Sequence, residues 1–334
     1  MEKPKRRQRY RGKNPRHFSE KYKEHEPERY AADVAGVLAR GRTPAGMHRP
    51  VMVREVIEVL GPKPGEFAVD CTLGYGGHAA ALLGSIQPGG RLIGVDIDPI
   101  ELPKTESRLR ELGFGPDVFV SQRSNFAGLA KLLPEPADIV FADLGVSSMQ
   151  MDNPERGFTY KVDGPLDLRM NPMRGQPAAA MLAGLDGPAL AAILFENADE
   201  PNADPIAHAV LQAQVSTTTE LAAAVRRAGG DDDSIRRVFQ ALRIAVNNEF
   251  GALEEFLRNL PFCLKSGGRA AILTFHSGED RRVKKAFQAA EREGVYSEVA
   301  HEIVRPSAEE LRANPRSRSA KLRWARAATS SRII

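Results

Sequence analysis

The chain has 334 residues, of which 42% are hydrophobic and 27% are charged. This composition is typical of a globular protein that is long enough for a nucleotide-binding domain with a smaller addition. No apolar run approaches about 20 residues and no signal peptide is evident, which argues against a membrane protein and favours a cytoplasmic location. The two cysteines, Cys71 and Cys263, are too few for a disulfide framework or a thiolate metal centre, and no metal site is predicted.

The net charge of +4 is distributed unevenly along the chain. Residues 1–16 hold eight Lys or Arg against one Glu, and residues 305–334 hold eight against two acidic residues, so the body between them is acidic. Basic ends on an acidic body predict a polyanionic partner that is held from two sides. The alternative for the N-terminal segment is a solvated, disordered tail. Residues 1–46 are polar with scattered prolines, and we predict an extension outside the core fold.

A glycine-rich loop is the first sign of a ligand site. Apolar residues at helical spacing predict a helix over residues 53–60, and residues 67–69 form the end of a buried strand. Gly74, Gly76 and Gly77 follow this strand and lead directly into a helical segment. Strand, glycine loop and helix in this order are typical of a nucleotide-cofactor site, because glycine lets a ligand lie against the amides at the helix N-terminus.

A second strand over residues 91–96 ends in Asp96, about where the hydroxyls of a ribose are held in such sites. The alternative for the glycines is an ordinary tight turn, which the acidic strand end makes less favourable. The type of cofactor stays open at this point, because Gly74, Gly76 and Ala79 also fit the spacing of NAD enzymes.

Two further strands are predicted over residues 117–121 and 136–143. In open α/β sheets, ligands bind beyond the carboxyl ends of the strands. We therefore expect one crevice, lined by the residues that follow or end these strands: Asp70, Asp96, Phe126 and Asp143.

The pattern changes over residues 171–233 to alanine-rich helices, which we interpret as an insertion that interrupts the strand and helix alternation. Thr217 and Glu220 are spaced as a capping box at the start of one of these helices. A single long helix is predicted over residues 234–260. Arg243 and Asn247 share one face of it with Arg236, and this is either a functional face or simply a solvated one.

The last clear strand is predicted over residues 270–275. It ends in His276, where a catalytic role and a capping role are both compatible with the position. Ser277 is predicted to cap the helix that follows.

Several segments in series resemble one family, the bacterial 16S rRNA cytosine-N4 methyltransferases, called RsmH or MraW. They occur in the family's order and cover residues 48 to about 326. The matching segments are HRPV at 48–51, DCTLGYGGH at 70–78, DLGVSSMQ at 143–150, RGF at 156–158, LDLRM at 166–170, FQALRIAVN at 239–247, TFHS at 274–277 and NPRSRSAKL at 314–322.

The resemblance implies an α/β fold, a class I S-adenosylmethionine (SAM) methyltransferase sheet of the Rossmann-like type with a helical insertion domain. The implied organisation is a SAM-binding part at 47–170, a substrate-recognising insertion at 171–233, and the rest of the sheet with a basic C-terminal segment at 234–334. The implied reaction is methylation of N4 of a cytidine in the decoding centre of 16S rRNA, and SAM replaces NAD as the expected cofactor. The partner is then the small ribosomal subunit, with neither DNA nor a membrane expected. Homodimer formation is left open.

The resemblance also carries over roles, position by position. The cofactor contacts are expected at Gly76, Gly77, His78, Asp96, Phe126, Asp143 and Gln150. The catalytic or positioning candidates are Asp143, Ser147, Asn247 and His276. The RNA contacts are expected at Arg156, Arg169, Arg243, Arg316, Arg318 and Lys321, with Arg323 beside them.

The sequence departs from the family pattern at two places near these motifs. Gly278 stands where the family usually has leucine, and residues 199–203 are atypical. Two competing functions remain, an NAD-dependent oxidoreductase and a non-catalytic RNA-binding assembly factor on the same fold. Neither departure involves an expected cofactor residue.

Overall fold

The computed structural model describes residues 50–329, and the predicted N-terminal extension lies outside the described residues. In chain order the elements are α1 (Val53–Leu60), β1 (Phe67–Asp70), α2 (Gly77–Ile86), β2 (Arg91–Asp96), α3 (Glu101–Glu111), β3 (Phe119–Arg123), α4 (Leu129–Leu132), β4 (Ala137–Asp143), α5 (Ser148–Asp152), α6 (Ala178–Ala183), α7 (Gly187–Ala198), α8 (Ala203–Ala213), α9 (Thr218–Arg227), α10 (Asp232–Asn247), α11 (Glu249–Asn259), β5 (Leu264–Thr274), α12 (Ser277–Arg292), β6 (Tyr296–Val299), α13 (Ala308–Ala313) and β7 (Lys321–Ala327). None of these helices is long and apolar enough to cross a bilayer.

The seven strands form one sheet in the order β3-β2-β1-β4-β5-β7-β6. Strands β1 to β5 pair in parallel, and β7 runs antiparallel to both β5 and β6. The chain moves outward from β1 to β3 and then returns to β4 on the other side of β1. Because the order reverses between β1 and β4, a crevice opens there at the carboxyl ends of the strands. The predicted α/β fold class is confirmed.

The central strands are apolar on both faces of the sheet. Val69 and Val140 pack in the cluster that includes residues of α11 and α12, whereas Ala68 and Ile139 pack in the cluster that includes residues of α1 and α2. Successive side chains of a strand alternate between faces, so helices on both sides bury the whole strand. This explains the short continuous apolar runs in the sequence.

A separate core holds the helical part together. It joins α6 to α9 with the residues of α10 up to Leu242, and it begins at Phe158. The helices predicted within 171–233 are present, and the Thr217–Glu220 capping box at the start of α9 is confirmed. The core includes residues outside the predicted insertion, because residues before α6 and within α10 contribute to it.

The predicted single helix over residues 234–260 is wrong. The chain forms α10 and α11 instead, separated at Asn248, which has a φ of 49° in the left-handed region. Its amide bonds to the carbonyls of Ile244 and Ala245 and so ends α10. Asparagine accepts this backbone conformation more readily than most residues, and the apolar spacing continues across the break, so the pattern gave no signal of it.

Other boundaries also differ from the sequence prediction. Strand β3 begins two residues later than predicted, β5 begins at Leu264, and β6 and β7 were not predicted. The predicted cap of α12 is wrong as well: the N-cap position is His276, Ser277 is already helical, and no side chain caps this end.

Candidate active site

The glycine-rich loop between β1 and α2 is held tightly in place. The Gly74 amide donates to Asp96 Oδ2 at 2.7 Å, and the Gly74 carbonyl accepts from Thr105 Oγ1 at 2.5 Å. Gly76 has a φ of 82°, and a Cβ on it would lie 2.9 Å from Thr105 Cγ2. This position therefore requires glycine, and the loop presents the first amides of α2, which have no intrahelical acceptor, at the carboxyl edge of the sheet.

Gly77 and His78 open α2. A Cβ on Gly77 would lie 2.1 Å from the Pro50 ring, so this position is also closed to larger residues. His78 Nε2 donates to the Val51 carbonyl at 2.9 Å, while Nδ1 lies 3.7 Å from Asp143 Oδ2. Burial lowers the pKa of His78 to about 4, so the ring is neutral near pH 7. Because a carbonyl can only accept, the proton is on Nε2 and the Nδ1 lone pair is directed to the Asp143 side.

Three carboxyl groups from adjacent strand ends share the crevice. Burial raises the pKa of Asp70 to about 7 and that of Asp96 to about 6. Burial, with the neighbouring charges of Asp70 and Glu279, raises the pKa of Asp143 well above its usual value. Asp70 Oδ2 and Asp143 Oδ1 are buried and have no hydrogen-bond partner within residues 50–329. Buried carboxyl groups without a cationic partner favour a cationic ligand, because such a ligand stabilises their ionised form.

Phe126 lies at the same edge, just after β3. Its ring packs edge-on against Phe256 with the centroids 5.3 Å apart, and it remains partly exposed. The Ser124 amide donates to the Asp96 carbonyl at 3.0 Å, which holds this turn beside the end of β2. The structure thus brings the four predicted crevice residues to the carboxyl ends of neighbouring strands.

Gln150 and Ser147 form the start of α5. Ser147 Oγ accepts from the Gln150 amide at 3.3 Å, and Gln150 Oε1 accepts from the Ser147 amide at 2.9 Å. Gln150 Nε2 donates to Asp98 Oδ2 at 2.8 Å. Both ends of the Gln150 side chain are therefore engaged within the protein, whereas the Ser147 hydroxyl still has its own proton to donate.

Asp98 is a buried residue at the centre of a hydrogen-bond network, and the sequence analysis did not identify it. Its carboxylate accepts from Arg156 Nη1 at 2.7 Å and from the amides of Ile100 and Glu101 at 2.9 and 3.4 Å. Its own amide donates to Asp96 Oδ1 at 2.8 Å. A usable signal was present, because an aspartate just before a helix commonly accepts from the first helical amides.

The opposite wall combines His276 with charged residues of α10 and α12. His276 Nε2 lies 3.2 Å from Glu279 Oε1, and Glu279 Oε2 accepts from the Phe275 amide at 2.9 Å. Arg243 pairs with both oxygens of Glu249 at 2.8 and 3.0 Å. Although burial raises the pKa of Glu279, His276 and Arg243 bring it below its usual value. Glu279 is thus an ionised partner of His276 that the sequence reasoning did not single out.

Asn247 is occupied by backbone groups rather than facing an open site. Its Oδ1 accepts from the Met170 amide at 2.7 Å, and its Nδ2 donates to the carbonyls of Leu168 and Arg243 at 2.7 and 2.8 Å. Both of its donors are used. The geometry supports a positioning role for Asn247, in which it holds the segment at 168–170.

Comparison with known proteins shows which family this chain belongs to. The model of the MraW methylase family matches residues 45–328. The chain belongs to the MraW methylase family. It is 50% identical to ribosomal RNA small subunit methyltransferase H 2 of Alkaliphilus metalliredigens, with 97% of this chain and 98% of the relative covered. It is 47% identical to methyltransferase H 1 of both Lachnoclostridium phytofermentans and Agathobacter rectalis, covering 96% of this chain and 92% and 97% of these relatives.

The cofactor of this methylase is SAM. SAM carries a sulfonium and an ammonium group, for which the buried carboxyl groups of Asp70 and Asp143 are suitable partners. The match to a methylase family argues against the NAD-dependent oxidoreductase.

Asp70 gives the methylase a specific dependence of stability on pH. Its pKa of about 7 in the folded protein exceeds its ordinary value of 3.8, so the folded state binds more protons than the unfolded state between these values. The contribution of Asp70 to the free energy of unfolding is greatest below about pH 4 and falls as the pH rises to about 7. We expect Asp70→Asn to unfold at a higher temperature than the wild type at pH 8, with the difference shrinking towards pH 4. A difference in melting temperature that is constant over this range would contradict the assignment.

At Gly278, the first departure from the family pattern, a neighbouring side chain occupies the space that a larger residue would need. A Cβ on Gly278 would lie 2.7 Å from Phe250 Cζ and 3.2 Å from His276 Nδ1. The Phe250 ring stacks under the Arg282 guanidinium at 3.6 Å. Phe250 thus fills the space into which a larger residue at 278 would extend, and the wall beside His276 stays packed.

The second departure, residues 199–203, ties the helical part to α10. Glu200 is fully buried and accepts from Arg237 Nε at 2.7 Å and from Ser234 Oγ at 3.2 Å. It also accepts from the Asn202 amide at 3.0 Å. These contacts give the loop a defined structure and connect the helical part to α10.

Three of the arginines predicted to bind RNA are engaged within the protein. Arg156 is buried against Asp98, and Arg169 pairs with both oxygens of Asp167 at 2.7 Å. Arg243 is paired with Glu249, as described above. Buried, ion-paired guanidinium groups are poorly placed to contact phosphate. We therefore assign positioning roles to Arg156 and Arg243, and of these three arginines only the half-buried Arg169 stays a candidate for an RNA contact.

The C-terminal cations differ among themselves. Arg316 bonds to Ser148 Oγ and lies 3.3 Å from Asp152, and its side chain is 43% exposed. Arg318 is exposed and has no ion pair within the described residues. Lys321 lies 3.4 Å from Asp280, which also binds the buried Arg323 at 2.6 Å. Arg316 and Arg318 are thus the best placed for an external anion, next to the start of α5.

Proposed function

We propose that this methylase transfers a methyl group from SAM to the exocyclic N4 of a cytidine in the decoding centre of 16S rRNA, during maturation of the small ribosomal subunit. Membership of the MraW family and the names of the relatives, which are small-subunit rRNA methyltransferases, support the substrate class. The observation that carries the chemistry is Asp143 Oδ1, a buried acceptor without a partner in residues 50–329, in a crevice suited to a cationic cofactor.

The proposed cofactor contacts follow from the crevice. We assign the amides at Gly76, Gly77 and His78 to the methionine carboxylate, because the N-terminus of a helix binds anions. We assign Asp96 to the ribose hydroxyls and Phe126 to a face or edge of the adenine. Gln150 acts indirectly in this scheme, by holding Asp98 behind Asp96.

The cytosine amine is a weak nucleophile, because its lone pair is delocalised into the ring. SAM supplies a methyl group activated by its sulfonium centre. The site must accept a hydrogen bond from the amine and hold the nitrogen in line with the methyl carbon at about 3–3.5 Å. When bound, SAM would give up its methyl group with the C–S electron pair remaining on sulfur, and the proton released from N4 would pass to the acceptor or to solvent. We propose Asp143 or Ser147 as the acceptor, with His276, fixed by Glu279, as a positioning group.

The test is methyl transfer from labelled SAM to small subunits purified from a strain that lacks this gene, followed by nucleoside analysis. We expect N4-methylcytidine confined to the decoding centre. Label in another nucleoside or region would retain the methyltransferase and reject this target. SAM binding without transfer, to subunits and to pre-subunit particles alike, would favour the non-catalytic assembly factor.

Replacing Arg316 and Arg318 together with alanine should weaken RNA binding and leave SAM affinity unchanged. Each lost phosphate contact lowers the slope of log K against log salt by about 0.7 for single-stranded RNA, so we expect a slope shallower by about 1 to 1.5. The measurement is a filter-binding salt series with a 16S rRNA fragment. The matched control is Arg91→Ala with Lys265→Ala, two partly exposed, ion-paired cations at the opposite edge of the sheet. Equal slopes for the two double variants would reject this RNA surface.

A further inference from the structure

The backbone at 168–170 is fixed from two sides by side chains from distant parts of the chain. Leu168 has a φ of 62°, a conformation that leucine rarely adopts and that surrounding contacts must maintain. From α10, Asn247 bonds to the Leu168 carbonyl and to the Met170 amide, both at 2.7 Å. Asn247 thus fixes one side of the segment through two of its backbone groups.

Arg156 fixes the other side and connects it to the cofactor crevice. Its Nη2 donates to the carbonyls of Arg169 and Met170 at 3.2 and 2.8 Å. Its Nη1 donates to Asp98 Oδ2 at 2.7 Å, and the amide of Asp98 donates to Asp96, the residue proposed to hold the ribose. A continuous set of buried polar contacts therefore runs from the crevice to the 168–170 backbone.

The segment continues into a surface loop with the chemistry of a nucleic-acid contact. Met173 is 76% exposed, which is unusual for a large apolar side chain, and Arg174 beside it is exposed as well. Arg169 Nη1 donates to the Gly175 carbonyl at 3.2 Å and closes the loop. Apolar side chains flanked by cations are suited to contact an unstacked base and its phosphates. We call residues 168–175 the clamped loop.

We propose that Arg156 is a positioning residue that couples cofactor binding to the clamped loop. A ligand held by Asp96 stabilises the Asp98–Arg156 arrangement, and Arg156 in turn orders the 168–170 backbone for RNA. The coupling is reciprocal, so the cofactor tightens RNA binding by the same factor by which RNA tightens cofactor binding. The RNA part of this inference rests on the proposed function.

The test compares the full chain with Arg156→Lys, using S-adenosylhomocysteine (SAH), which binds without reacting. Lysine keeps the charge beside Asp98 but lacks the fork needed to reach two carbonyls at once. We expect SAH to slow amide hydrogen exchange of residues 168–175 about tenfold in the wild type and less than about twofold in the variant. We also expect SAH to tighten binding of a decoding-region 16S rRNA fragment in the wild type only. SAH affinity itself is measured separately by calorimetry.

The matched control is Arg269→Lys. Arg269 also joins one carboxylate, that of Glu66, to two carbonyls, those of Leu60 and Gly61, but at the opposite edge of the sheet. The Arg269→Lys variant should lose stability and keep the wild-type response to SAH. An equal response in Arg156→Lys, or none in a wild type that binds SAH, overturns the coupling alone. A wild type that fails to bind SAH overturns the proposed function together with it.

Discussion

Replacing Asp143 with asparagine is expected to lower kcat/KM for methyl transfer by about 10- to 150-fold, the equivalent of one charge-assisted hydrogen bond of about 1.5–3 kcal/mol. Asp143 ends β4, and its Oδ1 is buried without a partner in the described part of the chain. Asparagine has nearly the same shape, so the change removes the charge and one acceptor while preserving packing. Single-turnover kinetics and equilibrium SAM binding, measured on the same preparations, give the result.

The division of this loss between binding and turnover distinguishes the two roles of Asp143. A cofactor ligand predicts a higher Kd for SAM with little change in turnover, whereas a proton acceptor predicts the reverse. Because burial raises the pKa of Asp143 in the free protein, protons compete with the cationic cofactor for this group. SAM affinity should therefore increase with pH as Asp143 loses its proton, and the increase should be smaller in the variant.

The control for this experiment is Asp138→Asn, the same substitution near the other end of β4. Asp138 bonds to Lys265 at 2.8 Å and to the Phe67 amide at 2.9 Å, away from the crevice. It should lose some stability and keep the wild-type Kd and turnover. If Asp143→Asn behaves in the same way, Asp143 has no part in the site.

Replacing Asp98 with alanine is expected to lower the free energy of unfolding by about 3–5 kcal/mol, which is the usual cost of leaving a buried charge without its partner. The side chains of Asp98 and Arg156 are only 2% and 6% exposed, so water does not compensate the arginine that remains. The first amides of α3 and Gln150 also lose an acceptor. Urea unfolding at constant pH measures the change.

Two further variants identify the cause of this destabilisation. Glu135→Ala removes the partner of Arg91 from a pair whose side chains are 52% and 44% exposed, and it should change the unfolding midpoint very little. Asp98→Ala combined with Arg156→Met removes the unpaired charge and should recover part of the lost stability. A double variant no more stable than Asp98→Ala would show that the charge is not the cause.

Local patterns predicted the elements that have local causes. The apolar spacing at 53–60, the glycines before α2 and the Thr217–Glu220 box depend on neighbours within one or two turns, and all three appear as expected. The parallel part of the sheet could also be predicted, because strands and helices alternate along this part of the chain. The break at Asn248 could not, since an asparagine interrupts a helix without changing the apolar period.

The roles of the arginines show the limit of the sequence most clearly. The sequence does not distinguish a basic residue that contacts phosphate from one that pairs with a buried carboxylate, because both can occur within a family motif. Arg156 and Arg318 were predicted for the same role, yet the first is buried against Asp98 and the second is exposed. Burial depends on which elements pack together, and residues 98 and 156 meet only in the folded chain.

The fold class, a crevice at the strand ends and the family of this methylase could be predicted from the chain alone, because the succession of strands and helices, the glycine spacing and the series of motifs can be read in the sequence. The electrostatics of the crevice and the contacts that support it depend instead on the folded arrangement of the chain. That arrangement placed Asp98, Glu279 and Asn247 in contact with their partners, and it raised the pKa of the crevice carboxyl groups through burial. Contacts between residues far apart in sequence, and the exclusion of water around them, arise from packing and leave no periodic signal in the chain.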